Sequence, residues 1–121
     1  MVEARNLPEI QVRYILPTVH KELAKALVEL GTTAKEAAKL LEITPAAVSQ
    51  YLNDKRATTF QLSPSLKAKV KDAASDLRQG KHNVLAVTMH LLREHEMMKL
   101  ACNYHKNQDD SLPHNCDICM R

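Results

Sequence analysis

Glycine is nearly missing from this chain, with two in 121 residues. Tryptophan is absent, and aromatic residues make up only 3%. Sheets draw on glycine for their turns and on aromatic and β-branched residues for their strands, so these shortages argue against a sheet. They also require an aliphatic core of Leu, Val, Ile, Ala and Met. No run of about 20 apolar residues occurs, which excludes a membrane-spanning helix. Residues 1–10 carry no long apolar stretch, so no secretory leader is expected and the expected compartment is the cytoplasm. In that compartment the three cysteines are not expected to form structural disulfides. Strong charge of one sign is lacking too. A net charge of +3 suits an anionic partner but does not coat a polyanion by charge alone, so any such affinity depends on where the cations sit.

What is present favours helix. Apolar residues reach 45%, enough for one domain of ordinary size with a real core. Pro8–Ile15 reads as a short helix with proline at its first position. Pro17 interrupts or restarts the pattern. Val19, Leu23, Ala26, Leu27 and Leu30 then fall on one helical face, and Gly31 is a stop. Ser63-Pro64 opens another helix, with Leu66, Val70, Ala73 and Leu77 on one face and Gly80 at its end. A last helix is expected from Val84 to Cys102, apolar over a broad surface that includes Leu85, Leu91 and Met98. That surface looks too wide for one chain to cover. The expected architecture is all-α, with about five helices: a helix-turn-helix region at 1–60, a helical dimerisation region at 61–102, and a Cys/His tail at 103–121.

Residues 33–53 carry the informative pattern. Thr33-Ala34-Lys35-Glu36 is a capping box that starts a helix of about two turns, ending at Leu41. Glu42-Ile43 is a tight break. Thr44 then caps a new helix with Pro45 at its first position, running through Val48, Tyr51 and Leu52 to about Asn53. Small Ala38 permits close approach of the two helices, and Leu41 and Ile43 plug the turn. Such a pair presents its second helix outward, where it fits a DNA major groove. The expected DNA face is Thr44, Pro45, Ala46, Ala47, Ser49, Gln50 and Asn53, with Thr33 at the start of the first helix. Gln50 can pair with adenine, and the Ala46 methyl can touch a thymine methyl. Lys55 and Arg56 follow, placed to grip phosphates, which positions a protein without reading sequence.

The segment TAKEAAKLLEITPAAVSQYLNDKR resembles the Cro and phage-repressor type of helix-turn-helix. Together with the preceding YILPTVHKELAKALVELG and the cysteine-bearing tail, it looks like small archaeal regulators of that class. The resemblance implies a transcriptional regulator whose Ser49 and Gln50 face double-stranded DNA while Val48 packs inward. Glu42 departs from the family, which usually has glycine in the turn. A left-handed glutamate there would cost about 1 kcal/mol relative to glycine.

All three cysteines lie near the C-terminus. Cys102-x-x-His105 and Cys116-x-x-Cys119, with ten residues between them, have the spacing of a four-ligand metal site. Zinc and an iron–sulfur cluster both suit such a donor set, and His114 competes with His105 as fourth ligand. His20, His82, His90 and His95 show no paired ligand spacing, and Met89, Met97 and Met98 read as packing. The leading expectation is therefore a homodimeric, sequence-specific DNA-binding regulator with a metal site in its tail. A protein-binding adaptor or antitoxin-like module is the alternative. An enzyme is not expected, because the cysteines crowd a polar tail without a phosphate-binding loop or an arranged base.

Overall fold

Pro17 stands inside a helix, not at its edge. In a computed structural model, which describes residues 7–108, the first helix, α1, opens as α-helix at Leu7–Ile10, widens to π-helix over Gln11–Ile15 and resumes as α-helix over Leu16–Glu29. Proline has no N–H, and its ring crowds the carbonyl one turn back. The wider turn relieves that crowding: the Leu16 N–H donates to the carbonyl of Gln11, five residues earlier. The Thr18 hydroxyl adds a bond to the Tyr14 carbonyl at 2.7 Å. The expected short helix to Ile15 is thus corrected to the opening of one continuous helix.

Five further helices follow among the described residues, and no strand. They are α2 (Ala34–Leu41), α3 (Pro45–Leu52), α4 (Pro64–Arg78), α5 (Val84–Leu92) and α6 (His95–Gln108). Side-chain caps start four of them. Thr33, Thr44 and Ser63 accept the N–H groups of Glu36, Ala47 and Leu66 through their hydroxyl oxygens at 3.1–3.2 Å. Asn83 accepts that of Ala86 at 2.9 Å. Each bond satisfies a donor that the first helical turn would leave without a partner.

The last expected helix, from Val84 to Cys102, is corrected to two. Val84, Val87, Thr88 and Leu91 are the buried stripe of α5. Continued without interruption, that stripe would pass through residues 94, 95 and 98. Instead α6 buries Met97, Ala101 and Cys102. The bend at Arg93–Glu94 shifts the stripe around the axis. Polar bonds hold it: Glu94 accepts Lys69 Nζ at 2.9 Å, and Glu96 accepts the hydroxyls of Ser63 and Ser65, both at 2.8 Å. Those two hydroxyls hold the Glu96 carboxyl below its usual range.

One aliphatic core takes residues from all six helices. Its axis is α1, where Ile10, Ile15, Val19, Leu23 and Leu27 are at most 1% exposed. The core crosses residue 60, so the regions 1–60 and 61–102 share their packing. The first turn of α1 lies against α6, and the amide of Gln11 donates to the Met98 sulfur at 3.5 Å. This contact corrects the expected breadth of the apolar surface. Leu91 is 1% exposed and belongs to the chain's own core, while Met98 and Leu92 are half-buried. On α5 the large apolar side chains left outside are Leu85 and Met89.

Candidate nucleic-acid interface

The turn between α2 and α3 is closed by packing of the residues expected there. Ala38 and Leu41 of α2 and Val48 of α3 are buried, at 3%, 2% and 0% exposure, and Ile43 is half-buried between them. Tyr51 is buried and Leu52 half-buried on the inner side of α3. With those positions committed inward, the helical period turns Thr44, Pro45, Ala46, Ser49 and Asn53 to solvent. Lys55 and Arg56 are exposed just beyond, and Thr33 is exposed at the start of α2.

Two expected members of that face sit differently. Ala47 is 8% exposed and points into the core beside Val48, so its place on the outer face is corrected. Its N–H is also taken by the Thr44 cap. Gln50 is half-buried, and its Oε1 is shielded from solvent without a hydrogen-bond partner. Bidentate pairing with a base edge requires both amide atoms, so Gln50 would have to turn outward to make it. That movement removes an unsatisfied buried acceptor, which favours it. The hydroxyls of Thr33 and Thr44 use their oxygens as caps and keep their protons to donate to an anion. Asn53 donates its amide to Ser49 Oγ at 3.4 Å, which links two neighbours on the outer face.

Backbone closure around α3 follows one pattern. The helix ends of α1 and α4 use the pair of bonds typical of a left-handed stop: Gly31 N–H to Val28 O with Thr32 N–H to Leu27 O, and Gly80 N–H to Leu77 O with Lys81 N–H to Asp76 O. The ends of α2 and α3 repeat that pair with Glu42 and Asp54 in the glycine position, at φ 55° and 56°. Ala57, at φ 57°, is the third non-glycine with positive φ among the described residues. All three bracket the outward helix. Left-handed strain outside glycine concentrates where a fold holds a functional segment in place.

A charged cluster that reading the sequence missed ties α3 to α1. Lys21 Nζ and Lys25 Nζ each lie 2.8 Å from Asp54 Oδ1. Hydrogen bonds from Lys21 and then Lys25 pull the Asp54 carboxyl down to about 2. Lys21 and Lys25 are one turn apart, and that i, i+4 pair was the available signal. The connection after α3 is anchored at its far end by Phe60, whose ring meets Tyr104 of α6 edge-on at 5.2 Å. Tyr104 also packs on Tyr14 of α1, with ring centroids 4.9 Å apart.

Of the expected metal ligands, Cys102 and His105 lie on α6, three residues apart, with Cys102 buried at 4% exposure and His105 half-buried. Cys116 and Cys119, and the competing His114, lie outside the described residues. Among the described residues no group of three His, Cys, Asp or Glu side chains is placed to hold a metal.

No helix among the described residues is long and apolar enough to cross a membrane. Residues 23–63 match the family model described as Helix-turn-helix, which covers α2, α3 and the last two turns of α1. The match supports a DNA-binding regulator over the same segment that resembles the Cro and phage-repressor type. No curated protein and no solved structure matches the chain.

Proposed function

We propose that this protein is a sequence-specific transcriptional regulator that reads double-stranded DNA with α3, as a homodimer in the cytoplasm. One observation carries the reading. The outer face of α3 is built of small, uncharged side chains — Thr44, Pro45, Ala46, Ser49 — on the one helix that the turn presents outward, with Lys55 and Arg56 directly after it. Bulky or acidic side chains would block groove entry at those positions. Ser49, Gln50 and Asn53 supply donors and acceptors for base edges, Lys55 and Arg56 the phosphate grip, and Thr33 and Thr44 hydroxyl donors to the backbone. Two copies would read half-sites about 34 Å apart. Leu85 and Met89, exposed on α5, are the apolar side chains offered for such a contact.

Selection from a random duplex pool, followed by binding of the selected site against mixed sequence, tests this. A selected motif with two half-sites is expected. Gln50→Ala should weaken the selected site by about 1–3 kcal/mol and relax preference at one base pair. A chain that enriches no motif and binds every duplex alike would leave the adaptor reading in its place.

The metal site belongs to the same proposal. Cys102, His105, Cys116 and Cys119 form the donor set, with zinc or an iron–sulfur cluster as occupant and a structural or sensing role. Its support is the paired spacing and the placement of Cys102 and His105 on one helix. Metal content and absorption spectrum of anaerobically purified protein, repeated on a Cys116→Ser, Cys119→Ser double variant, decide it. Full metal retention in that variant removes the site.

A further inference from the structure

Asp54 holds two cations beside the residues that grip phosphate. Its Oδ1 takes both Lys21 Nζ and Lys25 Nζ at 2.8 Å, and the next two residues in the chain are Lys55 and Arg56. The three side chains open onto one pocket with Thr58 and Gln61 of the following connection, and Glu22 and Lys67 line the same pocket. Three cations therefore face two anions there. Exposure of the clamp is graded. The Lys21 side chain is 11% exposed and that of Lys25 34%, while Asp54, at 59%, forms the outer lid. A DNA phosphate arriving beside Lys55 offers those ammonium groups what Asp54 already gives them, an anionic oxygen at hydrogen-bond distance. Phosphate contacts add affinity on every sequence equally, so two more would raise non-specific binding without improving discrimination.

We propose that Asp54 is a specificity-determining residue, whose carboxylate occupies Lys21 and Lys25 and keeps them off the DNA backbone. The inference rests on the DNA-binding reading above. It gives the acidic residue a reason to stand at a backbone position where the ends of α1 and α4 use glycine. The depressed ionisation of Asp54 keeps the carboxylate charged throughout the neutral range, so the lysines stay occupied in the free protein.

The alternative is that Asp54 only fastens α3 to α1, and salt dependence separates the two. Asp54→Asn removes the charge, and asparagine also tolerates a left-handed backbone. The full chain is titrated with a mixed-sequence duplex of about 30 base pairs and with the selected duplex over a KCl series. For the mixed duplex, the slope of log K against log[KCl] should steepen by about 0.9 for each lysine released, up to about 1.8. Affinity for that duplex should rise about tenfold per added contact at about 0.1 M salt, and the selected-to-mixed ratio should fall. Lys25→Gln in the Asp54→Asn background should restore about 0.9 of the slope. If Asp54→Asn alone fails to fold, the Lys21→Met, Asp54→Asn double variant removes the most buried cation and leaves Lys25 released, with one unit of steepening expected. A folded variant with the wild-type slope and an unchanged ratio overturns the proposal. So does weaker binding to both duplexes at an unchanged slope, which assigns Asp54 to fastening alone. Wild-type protein that binds neither duplex overturns the DNA-binding reading itself, a different result from either.

Discussion

Glu42 and Asp54 occupy the same backbone position at the ends of successive helices, each left-handed where the ends of α1 and α4 carry glycine. Their side chains differ in use. Asp54 takes two lysines, whereas Glu42 is exposed beside the C-terminal carbonyls of α2, where a negative charge meets the negative end of the helix dipole. Glu42→Gly should therefore stabilise the fold by about 0.5–1 kcal/mol, the left-handed penalty being partly offset by glycine's extra freedom in the unfolded chain. Asp54→Gly relieves the same strain but loses the clamp, so it should not show that gain. Paired urea melts of the two variants read the difference. A destabilised Glu42→Gly would mean that the glutamate makes a compensating contact.

Phe60 is the far anchor of the connection that carries Lys55 and Arg56. Its edge-on contact with Tyr104 and the Tyr104–Tyr14 pair join that connection, α6 and α1 in one aromatic cluster. Phe60→Ala should cost about 1–3 kcal/mol of stability, from lost ring contacts and a half-buried side chain. It should also weaken DNA binding on all sequences alike, because a looser connection misplaces the phosphate grip and leaves the face of α3 intact. Loss of binding confined to one base pair would contradict that division of labour.

Assembly has a discriminating pair of substitutions. Leu91 is sealed in the core at 1% exposure, so Leu91→Asp should unfold the chain, by more than about 3 kcal/mol, whatever its oligomeric state. Leu85 and Met89 are 67% and 40% exposed. In a homodimer that uses α5, Leu85→Asp with Met89→Asp should dissociate the dimer and leave the far-ultraviolet circular dichroism of the monomer unchanged. Sedimentation velocity at micromolar concentration gives the mass. A wild-type monomer there removes the dimer from the proposed function.

The helix-turn-helix was legible because its signals are local. Thr33, Thr44 and Ser63 cap the helices that their sequence context announces, and Pro45 and Pro64 stand at first helical positions. Buried Ala38, Leu41 and Val48 follow from the helical period. What escaped was set by partners distant in the chain. Nothing near Pro17 announces a π-helical stretch, and no glycine or proline marks the bend at Arg93–Glu94. That bend depends on Ser63, which caps α4, and on Ser65 and Lys69 within it. The inward turn of Ala47 was readable from its neighbour Val48, since two adjacent residues can share the edge of an inner face. The clamp needed residues 29 or more apart in sequence to be seen together.

Acid should expose that clamp. The carboxyl of Asp54 is lowered from 3.8 to about 2 in the folded chain, chiefly by the hydrogen bonds from Lys21 and Lys25. A group whose folded value is depressed contributes stability that is complete above its unfolded value and disappears as pH falls through its folded value. The Asp54 contribution should therefore hold at pH 5, decline from about pH 4, and be gone near pH 2. Glu96 is also lowered, by Ser65 and Ser63, and has the same sign, so the wild-type slope contains both groups. His20 acts at higher pH: burial lowers it from 6.5, and its contribution begins to fall below about that value. Subtraction isolates Asp54. Urea melts of wild type and Asp54→Asn at intervals from pH 7 to pH 2 should give a stability difference that is constant down to about pH 5 and shrinks between about pH 4 and pH 2. The His20 limb should be common to both proteins and cancel. A difference that stays constant to pH 2 would show that Asp54 acts through its shape and not its charge, and would undercut its role in holding Lys21 and Lys25 from DNA.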